Sequence, residues 1–255
     1  MEQGPERPTS GPEAIAVAPS GGLLAVLDGI NQRVVVRDLT TRTEFHFEVD
    51  AQLGDLAITD EGRVTVLDSV GVSDGSGPPI PRLSLFDASG TLLRSAPVFL
   101  DTPHAILPNG AVVGIDGLTV TPFTRAGHAR DRTAQRTSFG PRPLDAFFRH
   151  DGSVLLADRS LDATYRVTAE DGVGPIATFQ QTPQGYVVAM GSLDGVRVAW
   201  FDPSGRVLDY VAVRIDSWAD SSPTERIDVD SNGDVYVWET TSAGAQVIMI
   251  EEGMP

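Results

Sequence analysis

Five ionisable residues, Glu13, Asp55, His104, Asp145 and Arg226, each stand immediately before a short apolar run of the chain. Carboxylate oxygens are hard ligands, so three acids and a histidine brought to one place could hold calcium or position a water for hydrolysis. Polar residues at the solvated end of a strand are the plainer reading of the same positions. A second set is compact. Residues 228–239, DVDSNGDVYVWE, fit the calcium-loop spacing D-x-D-x-N-G-x5-E. Asp228, Asp230 and Asn232 are its metal candidates, with Glu239 as the distal oxygen and Asp234 offering a carbonyl. An EF-hand needs helices on both sides, whereas these flanks read as strands, so a hairpin turn competes with the metal reading. A third set is basic. Arg125, Arg130, Arg132, Arg136, Arg142 and Arg149 crowd into one stretch that also holds His128 and His150. Arg130, Arg132 and Arg136 form its centre as an anion or partner patch, because guanidinium binds carboxylate or phosphate with two parallel bonds. A charged outer strand that discourages edge pairing is the alternative.

Other chemistries lack their residues. No cysteine is present, which removes disulfides, thiolate metal sites and thiol nucleophiles. All 19 basic residues are arginine, which removes Schiff-base chemistry and a P-loop lysine. Four histidines accompany no H-E-x-x-H pair or glycine-rich nucleotide loop. A formal net charge of −16 opposes sequence-independent binding to nucleic acid or anionic lipid. The apolar runs fall far short of the roughly 18 residues a membrane helix needs. No basic start leads into an apolar segment, so no signal peptide is visible. The acidity and the missing cysteines suit an extracellular or cell-envelope setting.

The elements that must position these residues recur along the chain. GRVTVLD at 62–68 has copies at 22–28 (GLLAVLD), 110–116 (GAVVGID) and 152–158 (GSVLLAD), with weaker ones at 185–191 and 233–239. Each is a turn glycine, an apolar run and usually an acid. The mean spacing is about 42 residues, the length of a four-stranded propeller blade. A short strand precedes each copy through a tight turn such as TDEG, RHDG or DSNG, where Asp, Asn and Gly are favoured. A third strand follows and often closes on a turn such as FDASG (86–90) or FDPSG (201–205). The expectation is an all-β chain: a six-bladed β-propeller of four-stranded antiparallel blades. Residues 1–11 read as a flexible tail and 12–255 as one domain. The acid that ends each phrase, such as Asp28 or Asp68, is expected to bind loop N–H groups and to pair with Arg33 or Arg82. The stretch 69–81 has the composition of a flexible insertion that could reach a ligand.

The copies GRVTVLD…RLSLFDASG and GLLAVLD…NQRVVVRD resemble NHL-type repeats and the wider six-bladed group that includes the SMP-30/gluconolactonase enzymes. The resemblance implies that the first strand of each blade lines a central channel and that ligands meet the face where it opens. It places Glu13, Asp55, His104, Asp145 and Arg226 at that mouth. In the enzymes a calcium sits near it, held by Glu, Asn and Asp; this chain has GPE at 11–13 rather than their EGP-type start, and no obvious matching Asn.

The reading that follows is a non-catalytic binding or scaffold propeller, recognising a protein or small ligand through the mouth and its loops. A calcium-dependent lactonase-type hydrolase using the same mouth is the first alternative. A structural subunit of a larger assembly is the second. No sequence for a fourth strand follows the third strand of the last blade. That blade is therefore expected to be three-stranded, with an edge open to strand addition unless a partner or further sequence supplies the strand.

Overall fold

The computed structural model describes residues 13–51, 54–72, 80–98, 103–106, 112–114, 119–121, 129–131, 144–148, 154–158, 163–167, 176–192, 195–214, 227–241, 244–251 and 253. Among them the regular structure is all strand. The first sheet is β1 (Ala14–Val17), β2 (Leu23–Asp28), β3 (Arg33–Asp38) and β4 (Glu44–Glu48). The second is β5 (Gly54–Ile58), β6 (Val64–Val72), β7 (Ile80–Phe86) and β8 (Leu92–Pro97). The third is β9 (Pro103–Ile106), β10 (Val112–Gly114), β11 (Thr119–Thr121) and β12 (Ala129–Asp131). The fourth holds β13 (Leu144–Phe148), β14 (Val154–Asp158) and β15 (Ala163–Val167). The fifth is β16 (Ile176–Thr182), β17 (Gly185–Ser192), β18 (Gly195–Phe201) and β19 (Val207–Arg214). The sixth is β20 (Ile227–Val229), β21 (Val235–Thr241) and β22 (Gly244–Ile250).

Every sheet is an antiparallel meander in chain order. The first strands lie beside one another: β1 touches both β5 and β20, β5 touches β9, and β16 touches β20. Sheets arranged face to face around their first strands make a β-propeller.

The pattern of β1 shows why its sequence is apolar throughout. Successive side chains of a strand point to opposite faces. Ala14 and Ala16 therefore join a core with Leu56, Ile58, Val64 and Val66 of the second sheet. Ile15 and Val17 face the other way and pack with Tyr236 and Trp238 of the sixth. A strand buried on both faces reads as a continuous apolar run. Farther out, β3 divides in the same manner. Val34 and Val36 are buried toward the second sheet, while Val35 and the arginines beside it stay partly open. Phe47 of β4 packs tilted against Phe86 of β7 with ring centroids 5.0 Å apart, in the joint between the first two sheets.

The two near-identical turns fold identically. Asp87 Oδ1 accepts the N–H groups of Ser89 and Thr91, both at 2.9 Å. Asp202 Oδ1 accepts those of Ser204 and Arg206, also at 2.9 Å. The neighbouring serine hydroxyl adds a further bond in each, and these donors hold both carboxyls below the usual aspartate range. Of 69–81, residues 73–79 lie outside the described residues, and the flanks are strand. β6 continues to Val72, which pairs with Ile80, because β-branched Val70, Val72 and Ile80 favour extension of the hairpin.

Candidate functional site

The carboxylate of Asp55 is held by backbone. Its Oδ1 accepts the N–H of Leu56 at 2.8 Å, and its Oδ2 accepts the N–H of Ile106 in β9 at 2.8 Å. The inner edge of a first strand has no further strand to bond, so its N–H groups need other acceptors. Asp55 supplies one and thereby ties the second sheet to the third.

Asp228 does the same at the joint between the last sheet and the first. Its Oδ2 accepts the N–H of Val17 at 2.6 Å and its Oδ1 that of Val229 at 2.9 Å. Val17 and Ile106 hold equivalent register positions. Each pairs with the second residue after its turn glycine, Leu24 after Gly22 and Val112 after Gly110. The burial that accompanies this contact pushes the Asp228 carboxyl up to about 6, against the pull of its two N–H donors.

The remaining mouth candidates are distributed as follows. Glu13 is half-buried and its N–H donates to Leu27 O at 2.8 Å. Asp55 pairs in register with Leu67, five residues after Gly62, and the first sheet has Ala14 at that place, opposite Leu27. Glu13 thus stands one residue earlier than Asp55. Asp145 pairs with Ala157, five residues after Gly152, and so is the register counterpart of Asp55 in the fourth sheet. His104 falls at the irregularity where Ala105 pairs with Val113 and Pro103 with Gly114. The side chains of His104 and Asp145, and the whole of Arg226, lie outside the described residues. Of the basic patch, Arg130 belongs to the outer strand β12, opposite Val120; Arg132 and Arg136 lie outside the described residues.

The calcium-like stretch is a hairpin turn between β20 and β21. Asp230 is almost fully buried, and its Oδ1 accepts the N–H groups of Asn232, Gly233 and Asp234 at 2.8, 3.0 and 3.0 Å. The Tyr236 hydroxyl also bonds to this carboxylate, and burial with the surrounding acids raises the phenol above its ordinary range. Gly21 packs on the pair: a Cβ there would lie 2.3 Å from Asp230 Oδ2, and its φ of +74° strains any other L-residue. Asn232 is exposed, its amide weakly directed at Asp230. Glu239 accepts a bond from Gln246 instead. Asp228 and Glu239 thus point to other partners, and the set does not fit a calcium shell. Among the described residues no three His, Asp or Glu side chains are grouped to hold a metal. Millimolar calcium is expected to leave the melting temperature within about 1 °C of its value in EDTA, whereas a site a hundredfold saturated would add about 2.7 kcal/mol. Differential scanning fluorimetry in the two buffers checks this.

A groove of about 600 Å³ opens between the first and sixth sheets. Its floor is apolar, with Leu24, Val26 and Val35 facing Tyr236, Trp238 and Met249. Arg33, Arg37, Arg42, Asp28 and Glu44 stand around it. Asp28 is engaged: Arg33 Nε lies 2.9 Å from its Oδ2, and Asn31 donates from both its backbone and its side chain. These bonds outweigh desolvation and hold its carboxyl below the usual range. The expected Asp28–Arg33 pair is thus present, while Arg82 Nε donates to Ser95 Oγ. Reading single motifs does not reveal this groove. Its signal is the alternation of RVVVR in β3.

The chain matches no family model, and no curated protein matches it. Among solved structures, a functionally unknown protein from Desulfotomaculum acetoxidans is 13% identical, with a TM-score of 0.49 over 93% of this chain and 82% of that one. The RRP9 WD40 repeats give 12% identity and 0.48, over 91% and 74%. The β-propeller domain of Cps50 (Swd1) from Myceliophteria thermophila gives 15% and 0.44, over 96% and 87%. The assignment as a propeller rests on the sheets themselves. No helix among the described residues is long and apolar enough to cross a membrane.

Proposed function

We propose that this chain is a six-bladed, NHL-like propeller acting as a non-catalytic binding or scaffold module for a protein or small ligand, in an extracellular or cell-envelope setting. One observation carries the reading. Three of the carboxylates that sequence spacing offers for chemistry, Asp55, Asp228 and Asp230, accept backbone N–H groups that join or shape the sheets. A group committed to structure in this way has little capacity left to ligate a metal or activate a water. The mouth residues Glu13, His104, Asp145 and Arg226 would then recognise a partner rather than transform one.

The competing lactonase-type reading predicts turnover that depends on calcium. Hydrolysis of simple aldonolactones is to be followed with 2 mM-range calcium and with EDTA, for the wild type and Asp145→Asn, a dose of order the Kd values of weak extracellular calcium sites. The expected result is the same background rate in all four. A calcium-dependent rate abolished by Asp145→Asn would replace the binding reading with the enzymatic one.

A further inference from the structure

Among the described residues, the joint between the sixth and first sheets has no counterpart of the group that fills the joint between the first and second. There the fourth strand β4 contributes Phe47, tilted against Phe86. Among the described residues the sixth sheet has three strands, and β22 is the outermost of them, with β21 as its hydrogen-bonded neighbour. Val247 and Met249 of β22 are 36% and 40% exposed and line the groove, while Ile248 packs on the core shared with the fifth sheet and Ile250 is buried within it. A strand added beside β22 would lay alternate side chains into this groove.

The charges indicate what those side chains should be. In a chain of net charge −16, the groove is ringed by three arginines and two acids, and one of the acids is already paired with Arg33. Arg37 pairs in register with Glu44, and Arg42 lines the same groove. Arg42 also occupies φ +61° in the turn after β3, where glycine or asparagine is the low-cost choice. The Arg42 side chain stands at the rim of the apolar groove.

We propose that the groove and the edge of β22 take an extended peptide segment of a partner protein, bound antiparallel to β22 as a fourth strand. Its groove-facing positions carry apolar residues and at least one Asp or Glu, the latter bound by Arg37 and Arg42. This rests on the binding-module reading and specifies one surface for it. Main-chain bonds to an open edge give affinity in such a mode, and the alternate side chains give selectivity. The acid-to-guanidinium contact is the charge-assisted, bidentate kind.

The test begins with a random nine-residue peptide library displayed against the full chain. Enriched peptides are expected to alternate apolar residues and to carry Asp or Glu. A synthetic copy of the best one should bind at least tenfold more weakly to Arg42→Gly, a substitution the positive φ accommodates without loss of fold. It should also slow amide exchange in β22 of the wild type. Enriched peptides that are basic, that bind Arg42→Gly unchanged, or that leave β22 exchange unaltered would overturn the proposal while leaving a binding module intact. Protection of β22 in the free chain would also overturn it, assigning the edge to this chain's own sequence if independent of concentration and to a second copy if not. No enrichment at all would sink the proposal; the lactone assay decides separately on the underlying reading.

Discussion

Trp200→Ala is expected to destabilise the chain by about 4 kcal/mol, in the range for removing a large buried aromatic. Trp200 is 3% exposed and lies in the core shared by the fifth and sixth sheets. Its Nε1 donates to Gly233 O across that joint at 2.9 Å, linking β18 to the turn before β21. Two losses therefore combine. The indole leaves a cavity against Ile227, Val229 and Val235, and the Gly233 carbonyl loses its buried donor. Trp200→Phe separates them, because it retains most of the apolar volume and removes only the donor. Its expected cost is about 1–2 kcal/mol, the desolvation of one orphaned carbonyl. Urea unfolding of the three proteins measures both. Equal stability of Trp200→Phe and wild type would show that the inter-sheet bond contributes nothing.

The second large effect is a pH dependence set by Asp228. Its carboxyl is raised from an ordinary 3.8 to about 6 by burial at the joint with β1. The folded state therefore holds a proton on Asp228 between about pH 4 and pH 6 that the unfolded chain has released. Stability falls with pH wherever the native state binds more protons. The contribution of Asp228 is greatest near pH 4, declines through that window, and levels off above about pH 6. A shift of this size corresponds to about 3 kcal/mol in all. Asp28 behaves oppositely: its lowered carboxyl stabilises above its ordinary value and loses that contribution as pH falls. Asp228→Asn keeps an oxygen for the Val17 N–H and cannot ionise. It is expected to flatten the decline from pH 4 to 6, while its amide NH2 forfeits the Val229 N–H bond at every pH. Thermal melts of both proteins at half-unit pH steps give the comparison. A parallel decline in the variant would move the effect to another group.

The strands and turns were legible because each carries its own local signal. GRVTVLD needs only the alternation of Val64 and Val66 with Thr65, plus a turn glycine, to announce a hairpin strand. FDASG and FDPSG share the Asp that caps the turn, so near-identical spelling gave the same hydrogen-bond pattern. The roles of individual acids were less accessible. Asp55, Asp145 and Asp228 look alike as acids near first strands, yet register distinguishes them. Asp55 and Asp145 face the fifth residue after their glycines, and Asp228 faces Tyr236, the third after Gly233. Such offsets arise from strand pairing, which a linear reading cannot measure. The calcium-like spacing of 228–239 illustrates the converse. Its acids match a loop of consecutive ligands only while the chain is unpaired. Once β20 and β21 form, alternate residues project to opposite faces, and Asp228 and Glu239 are taken by Val17 and Gln246.

The Asp228–Val17 bond joins residues 211 positions apart, and Ser231 N–H meets Pro19 O at 2.9 Å over a similar span. Every other part of a sheet can assemble from neighbours a few tens of residues away, whereas this seam requires both extremes of the fold. Loop closure over long separations is costly and slow relative to local hairpins. During synthesis, Ile15, Val17 and Leu24 must therefore wait, uncovered on one side, until β20 and β21 have left the ribosome. The order of events is built into the seam: β1 is made before β20 and β21 and is covered only after them.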